Sequence, residues 1–180
     1  FRAKEAGILA PLESEILTQR IPAAYRDPDN QWFGLSLRSR VIMFDKSRVS
    51  ADEIASYEDL ADPKWKGEVC IRSSGNIYNQ SLLASLIEHL GEEATEAWAK
   101  GLVANMARRP QGGDRDQIRA AVAGQCKLAV SNTYYLAGML KSSVAADVDV
   151  AKQVGVIWPN EAHSGAHMNV SGAGMIKTSK

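Results

Sequence analysis

The sequence predicts an α/β domain with a central, mostly parallel sheet flanked by helices. Short apolar runs of strand character alternate with segments whose apolar residues recur at helical spacing. Turn-forming residues separate these segments along most of the 180-residue chain. Such alternation is typical of layered α/β domains, in which a helix carries the chain from one strand to the next.

The first third of the chain is predicted to form a helix, an extended apolar segment and a short helix. Residues 1–20 are helical and then loop-like, and turn signals follow. Residues 32–44 are extended and apolar, which indicates a long strand or two strands in sequence. A short helix is expected over residues 50–60, because Ser50 and Glu53 have the spacing of a capping box.

The rest of the chain alternates strands and helices more regularly. Asp114 is predicted to cap one of the helices, and Gly124 is in the usual position to end it. The predicted strands cover residues 68–74, 126–132, 155–159 and 169–176. The predicted helices begin at residue 76 or 78 and end at 90, and cover 92–103, 115–123 and 134–141.

Charge and hydropathy argue against two broad functional classes. Lys plus Arg equals Asp plus Glu at 21 each, whereas nucleic-acid-binding domains normally carry a basic excess. No run approaches the 18 apolar residues of a membrane span. The chain starts at Phe1 inside a helix-like run and stops just after a strand-like run, so we expect a fragment of a longer protein.

Three of the five tyrosines fall at the edge of the predicted sheet where ligands bind. In parallel α/β sheets that edge lies outside the carboxyl ends of the strands. Tyr134 and Tyr135 directly follow one strand, and Tyr78 follows the polar turn after another. A phenolate is a hard anionic donor that suits a small, highly charged cation such as Fe(III). A single tyrosine at a sheet edge is more often structural, so the hypothesis depends on the three occurring together.

Other candidate sites carry weaker signals. His163 and His167 lie four residues apart in a loop, but neither an HExxH helix nor a cysteine partner supports a zinc pair. Asp114 and Asp116 fall in the first turn of a helix, where acidic residues are expected. A nucleophile elbow is absent, which argues against a small hydrolase.

Four runs of sequence resemble the ferric-ion-binding proteins of bacterial ABC importers. They are WFGLSLRSRVI, DLADPKWKGEVCIRSSGNIYNQSL, GLVANMARRPQGGDRDQIRAAVAGQCKLAVSNTYYLAGML and HMNVSGAGMIKTS, and together they extend over nearly all of the chain. The resemblance is strongest to the branch that binds iron mainly through tyrosines. These are two-lobed periplasmic binding proteins that hold the ion between two α/β lobes joined by hinge strands.

This resemblance implies a division of the chain and a set of site residues. Residues 1–37 would be the end of a first-lobe segment with a hinge strand, 38–154 the second lobe, and 155–180 the hinge return with first-lobe strands. The metal ligands would be Tyr78, Tyr134 and Tyr135. A synergistic anion, namely carbonate, citrate or phosphate, would bind at Ser73, Ser74, Gly75 and Asn132.

The resemblance also implies the setting in which the protein works. It would be periplasmic, would not be an enzyme, and would deliver Fe(III) to an inner-membrane ABC permease. From the cysteine count alone, Cys70 and Cys126 are either two free thiols or one disulfide, and the oxidising periplasm favours the disulfide. First-lobe ligands have no counterpart here, so the fragment is expected to bind iron weakly and to be prone to self-association. The alternative is a related binding protein for an organic anion, sulfate or a polyamine.

Overall fold

A computed structural model describes residues 2–179 and divides the chain into two compact units. The first unit joins the part of the chain before residue 39 to the part after residue 167, and the second unit is Ser39–His167. The second lobe implied by the resemblance ends at residue 154, whereas the second unit continues to His167. The backbone explains this placement, because the Asn160 N–H bonds the Ala55 carbonyl at 2.9 Å and the Arg40 N–H bonds the His167 carbonyl at 3.0 Å.

The order of elements follows the predicted alternation of helices and strands. The helices are α1 (Arg2–Glu5), α2 (Glu15–Arg20), α3 (Ile77–Leu90), α4 (Glu92–Asn105), α5 (Asp114–Val122), α6 (Thr133–Leu140) and α7 (Ala145–Gln153). The strands are β1 (Leu9–Ala10), β2 (Phe33–Asp45), β3 (Val69–Cys70), β4 (Leu128–Asn132), β5 (Val154–Ile157), β6 (Met168–Ala173) and β7 (Met175–Ile176). Short 3-10 turns cover Ala23–Tyr25, Ala51–Glu53, Glu58–Ala61 and Pro63–Trp65.

The first unit is built from short elements around a two-stranded pairing. β1 and β7 are antiparallel, with Leu9 opposite Ile176. Lys4 forms ion pairs with Asp27 and Asp29, and Asp27 is only 3% exposed. These ion pairs link α1 to the turn that precedes β2.

The sheet confirms the α/β class and refines its strand directions. Its strand order is β3-β4-β2-β5, and β6 also pairs with β2. β3 and β4 are parallel, whereas β2 is antiparallel to both β4 and β5. The sheet is therefore mixed, and the parallel character expected from the sequence belongs to the β3–β4 pair. That pair carries the two strand-to-helix junctions singled out in the sequence.

Both faces of this sheet are covered by apolar cores. Successive residues of a strand point to opposite faces, and in β2 the pair Ile42 and Phe44 joins one core cluster whereas Val41 and Met43 join the other. Side chains of α3 and α4 complete the first cluster with Leu82, Leu86, Trp98 and Leu102, and those of α5 and α6 complete the second with Ile118, Ala121, Leu136 and Met139. The sheet is thus the middle layer of three.

Several local predictions are confirmed and others need correction. Cys70 and Cys126 form a disulfide with a Cα–Cα distance of 5.9 Å. The capping box of Ser50 and Glu53 is present, but it opens a 3-10 turn instead of an α-helix. The strand expected over 68–74 is only Val69–Cys70, and α7 was not predicted. No helix in the described part of the chain is long and apolar enough to cross a membrane.

Candidate functional site

The parallel pair β3–β4 brings two helix N-termini to one edge of the sheet. β3 leads through the turn at residues 71–76 into α3, and β4 runs directly into α6. Tyr78 is the second residue of α3, and Tyr134 and Tyr135 are the second and third residues of α6. The three phenols therefore lie in the first turns of two helices that begin at the same edge of the sheet.

The three tyrosines converge at this edge, as the sequence predicted. The Tyr134 hydroxyl donates a hydrogen bond to the Tyr78 hydroxyl at 3.0 Å. The rings of Tyr134 and Tyr135 lie 4.3 Å apart between centroids, tilted by 33°. Tyr134 is 37% exposed, and the other two are partly buried. The three phenols therefore form one solvent-accessible cluster. We call this cluster of Tyr78, Tyr134 and Tyr135 the tyrosine edge.

The environment of Tyr134 keeps its phenol protonated at neutral pH. Partial burial raises the pKa of Tyr134 above its ordinary value, and the hydrogen bonds with Tyr135 and Tyr78 raise it further. The amide of Asn132 acts in the opposite direction by lowering this pKa. A cation bound at the tyrosine edge would have to displace this proton, as bound metal ions do for other weak acids.

A buried charge cluster lies beside the tyrosine edge, and sequence reasoning missed it. The fully buried Arg40 donates to an Asp114 carboxylate oxygen at 2.9 Å, and Arg72 bonds the other carboxylate oxygen of Asp114 at 3.2 Å. The guanidinium carbons of Arg40 and Arg72 lie 5.9 and 5.8 Å from the centroid of the Tyr78 ring. Two guanidinium groups and one carboxylate leave a formal charge of +1 beside the phenols.

Asp114 does not act as the helix cap that the sequence predicted. The N-cap of α5 is Gly113, and Asp114 is the first helical residue. Its carboxylate is fully buried and also accepts the backbone N–H of Asn132 at 2.9 Å. Asp114 therefore fixes the residue immediately before α6, and with it the position of the tyrosine pair.

The residues expected to bind an anion lie in two different environments. Ser73, Ser74 and Gly75 are exposed in the turn before α3. Asn132 is fully buried, and its side-chain oxygen accepts from Arg40 at 3.1 Å. The two places are connected through Asn79, whose amide oxygen accepts from Arg40 and whose NH2 group donates to the carbonyls of residues 72 and 73.

The two loop histidines lie in different surroundings. His167 lies within hydrogen-bond distance of Ser81 at 2.7 Å, and its backbone N–H donates to the Tyr57 hydroxyl at 3.0 Å. His163 is exposed in the turn that follows Asn160. Within residues 2–179, no group of three or more His, Cys, Asp and Glu side chains is placed to hold a metal ion.

Comparison with known proteins finds one matching family model and several similar proteins. A family model described as "Bacterial extracellular solute-binding protein" matches residues 1–177. The chain is 52% identical to "Iron uptake protein A1" of Synechocystis sp. over 178 residues, covering 99% of the chain and 49% of that protein. It is 30% identical to the "Fe(3+)-binding periplasmic protein" of Serratia marcescens, covering 97% of the chain and 50% of that protein.

Two solved structures share the fold closely. The Trichodesmium IdiA (FutA) protein in complex with iron and citrate has a TM-score of 0.94 at 51% identity, covering 99% of this chain and 56% of that one. The ferric binding protein from Campylobacter jejuni has a TM-score of 0.93 at 43% identity, covering 99% of this chain and 57% of that one. The chain thus spans about half the length of the relatives that it matches.

Proposed function

Because the chain belongs to the bacterial extracellular solute-binding protein family, we propose that it holds Fe(III) through the phenolates of Tyr78, Tyr134 and Tyr135. The observation that carries this proposal is the direct hydrogen bond between the hydroxyls of Tyr134 and Tyr78, with Tyr135 stacked on Tyr134. Three phenol oxygens gathered at an accessible edge offer hard anionic donors to one cation. Each would exchange a proton for the metal.

The charges at the tyrosine edge fit a trivalent cation accompanied by an anion. Three phenolates balance the charge of Fe(III), and the group of Arg40, Arg72 and Asp114 adds +1. A small anion beside the metal would offset that charge and supply further oxygen ligands. We place it near Ser73, Ser74, Gly75 and Asn132, and carbonate, citrate and phosphate all have the required chemistry. The relative from Trichodesmium was solved with iron and citrate, which supports this choice.

The biological role that follows is capture and delivery without catalysis. The similar proteins are named for iron uptake and ferric binding, and one of them is named as periplasmic. We propose that this protein works in the periplasm and passes Fe(III) to the permease of an ABC importer. The chain matches about half of the length of its relatives. We expect the unmatched half of those proteins to supply further metal ligands and to close over the site.

The proposal is tested by adding ferric citrate to the protein and recording the visible spectrum. Iron bound by phenolates should give a phenolate-to-iron absorption band. Tyr135→Phe keeps the ring that packs against the second core cluster but removes the donor oxygen. We expect this variant to lose the band or to have it strongly reduced.

Tyr25→Phe is the matched control, because Tyr25 belongs to the first unit and not to the tyrosine edge. It should bind iron with an unchanged band. A wild-type protein that shows no band with ferric citrate, or a Tyr135→Phe protein with the full wild-type band, would refute the assignment of the ligands.

A further inference from the structure

The geometry points to Arg72 as a positioning residue for Tyr78. Its guanidinium is anchored to the buried carboxylate of Asp114 and lies over the Tyr78 ring, where it holds the phenol in the orientation that meets Tyr134. This inference rests on the proposed iron site. It adds a residue that determines how the Tyr78 phenol is oriented toward the metal.

Different contacts fix the three tyrosines of the tyrosine edge. Tyr135 packs against the core cluster on its side of the sheet, and Tyr134 stacks on Tyr135. Tyr78 lies in the first turn of α3 next to Ile77, which is 63% exposed. The positions of two guanidinium carbons within 6 Å of its ring centroid are those of cation–π contacts.

Of the two guanidinium groups, Arg72 is the one whose contribution can be isolated. Arg40 is fully buried and donates to Asp114, Asn132, Asn79 and the Val130 carbonyl, so its loss would leave several buried acceptors without a donor. The Arg72 side chain is 21% exposed. Without Arg72, Asp114 would still accept from Arg40 and from the Asn132 N–H, both at 2.9 Å.

A planar guanidinium suits this role better than an ammonium group does. It can stack on an aromatic face while its N–H groups point in fixed directions toward a carboxylate. Residues that orient metal ligands from outside the coordination sphere typically change metal affinity on the order of 10- to 100-fold when they are removed.

The test compares Arg72→Met, Tyr78→Phe and the double variant after loading with ferric citrate. We measure the visible absorptivity per bound iron and the citrate concentration that removes half of the iron. For Arg72→Met we expect an absorptivity close to that of Tyr78→Phe and release at roughly 10- to 100-fold lower citrate. In the Tyr78→Phe background the arginine substitution should add nothing further, because its effect acts through the ring of Tyr78.

Two further variants separate positioning from general stability. Arg119→Met is the matched control, since Arg119 forms ion pairs with Asp116 and Asp147 and should leave the iron spectrum unchanged. Arg72→Lys retains the positive charge near Asp114 but not the planar group, so its absorptivity should fall between those of the wild type and Arg72→Met. Thermal melts of the metal-free proteins report any loss of folding, which by itself does not alter the absorptivity per bound iron.

The outcomes are distinguishable from failure of the proposed function. A wild-type protein without the phenolate band would overturn the iron site and this inference together. A wild-type band that Arg72→Met retains in full, with unchanged citrate resistance, would overturn only the role of Arg72. If Arg72→Met does not fold, a full wild-type spectrum in Arg72→Lys would overturn that role in the same way.

Discussion

Two regions of the second unit use tyrosine in opposite ways. Tyr57 is 2% exposed, and its hydroxyl donates to the Arg40 carbonyl and accepts from the His167 N–H at 3.0 Å. At the tyrosine edge, the hydroxyls of Tyr78 and Tyr134 bond to each other and solvent reaches them. In the first region, backbone groups are the hydrogen-bond partners of the phenol. In the second region, the two phenols are hydrogen-bond partners of each other.

The difference distinguishes a tyrosine fixed by the backbone from tyrosines that are accessible to a cation. The backbone partners of Tyr57 cannot leave without disrupting the strand and loop that carry them. Burial raises the pKa of Tyr57 to about 12, so its hydroxyl remains protonated. Phenols that bond to one another can release both partners at once when a cation replaces their protons.

The largest expected effect is the pH dependence of iron binding at the tyrosine edge. Free tyrosine loses its proton only near pH ~10, and burial raises the pKa of Tyr134 above its ordinary value. Binding at neutral pH must therefore release protons, up to one for each phenolate. Iron affinity should fall by up to about a thousandfold for each pH unit of acidification, if three protons are released.

The measurement is a chelator-competition titration at several pH values, with the chelator's own protonation taken into account. Tyr57→Phe is the control, because that hydroxyl does not lie at the tyrosine edge. Its pH slope should equal that of the wild type. An affinity independent of pH between 6 and 8 would contradict phenolate ligation.

The second largest effect concerns the disulfide between Cys70 and Cys126, which joins β3 to the residues just before β4. These strands lead to the two helices of the tyrosine edge. In the chain-entropy model, closing a loop of 56 residues stabilises the fold by about 4 kcal/mol. Replacing both cysteines with alanine should lower the free energy of unfolding by about that amount.

Urea unfolding of the double alanine variant, compared with the wild type with and without reductant, measures this effect. The same samples should show weaker iron retention in the variant, since the two junctions are then less firmly fixed to each other. A stability loss below about 1 kcal/mol would show that packing alone holds the strands in place.

Alkaline pH should affect the Tyr57 region through its buried phenol. A folded-state pKa of about 12, against an ordinary value of 10.0, means that the protonated form is favoured by folding. This contribution is fully present below pH 10 and is lost as the pH rises through about 12. The two-unit difference corresponds to about 3 kcal/mol.

Urea unfolding between pH 9 and 12 would measure this contribution. Tyr57→Phe should be less stable at neutral pH, because the Arg40 carbonyl and the His167 N–H lose a partner, and its alkaline decline should be shallower. Parallel declines in both proteins would assign the alkaline effect to other groups.

The sequence predicted the tyrosine edge because its signals are local. Strand-to-helix junctions follow from periodicity and turn residues, and phenols at two parallel junctions must meet at the same edge of a sheet. The structure confirms their convergence, while their role as metal ligands stays a prediction. The chemistry of phenolates indicated Fe(III), and the resemblance to a family added support for iron and favoured the disulfide, which the cysteine count alone left open.

The buried charge cluster could not be predicted in the same way. Arg40 belongs to an apolar strand and Asp114 to a helix start, and they are 74 residues apart in sequence. Asp114 has an ordinary local explanation as a helix cap, and no local signal in the sequence indicates a partner for Arg40. Only the antiparallel register of β2 and β4, which places Arg40 opposite Asn132, brings the two charges together.

The smallest predicted effect separates support of the tyrosine edge from support of the fold. The side chain of Asn76 caps α3 by accepting the backbone N–H of Tyr78 at 3.0 Å. Asn76→Ala should lower the free energy of unfolding by about 1 kcal/mol, the usual cost of a lost N-cap. Because the lost bond holds Tyr78 itself, the first turn of α3 should fray and iron retention against citrate should fall several-fold.

Ser14→Ala is the control, because it removes the comparable cap of α2, in which Ser14 accepts from the Leu17 N–H at 3.3 Å. It should cost similar stability without changing iron retention, and equal losses of iron in both variants would mean that retention follows global stability.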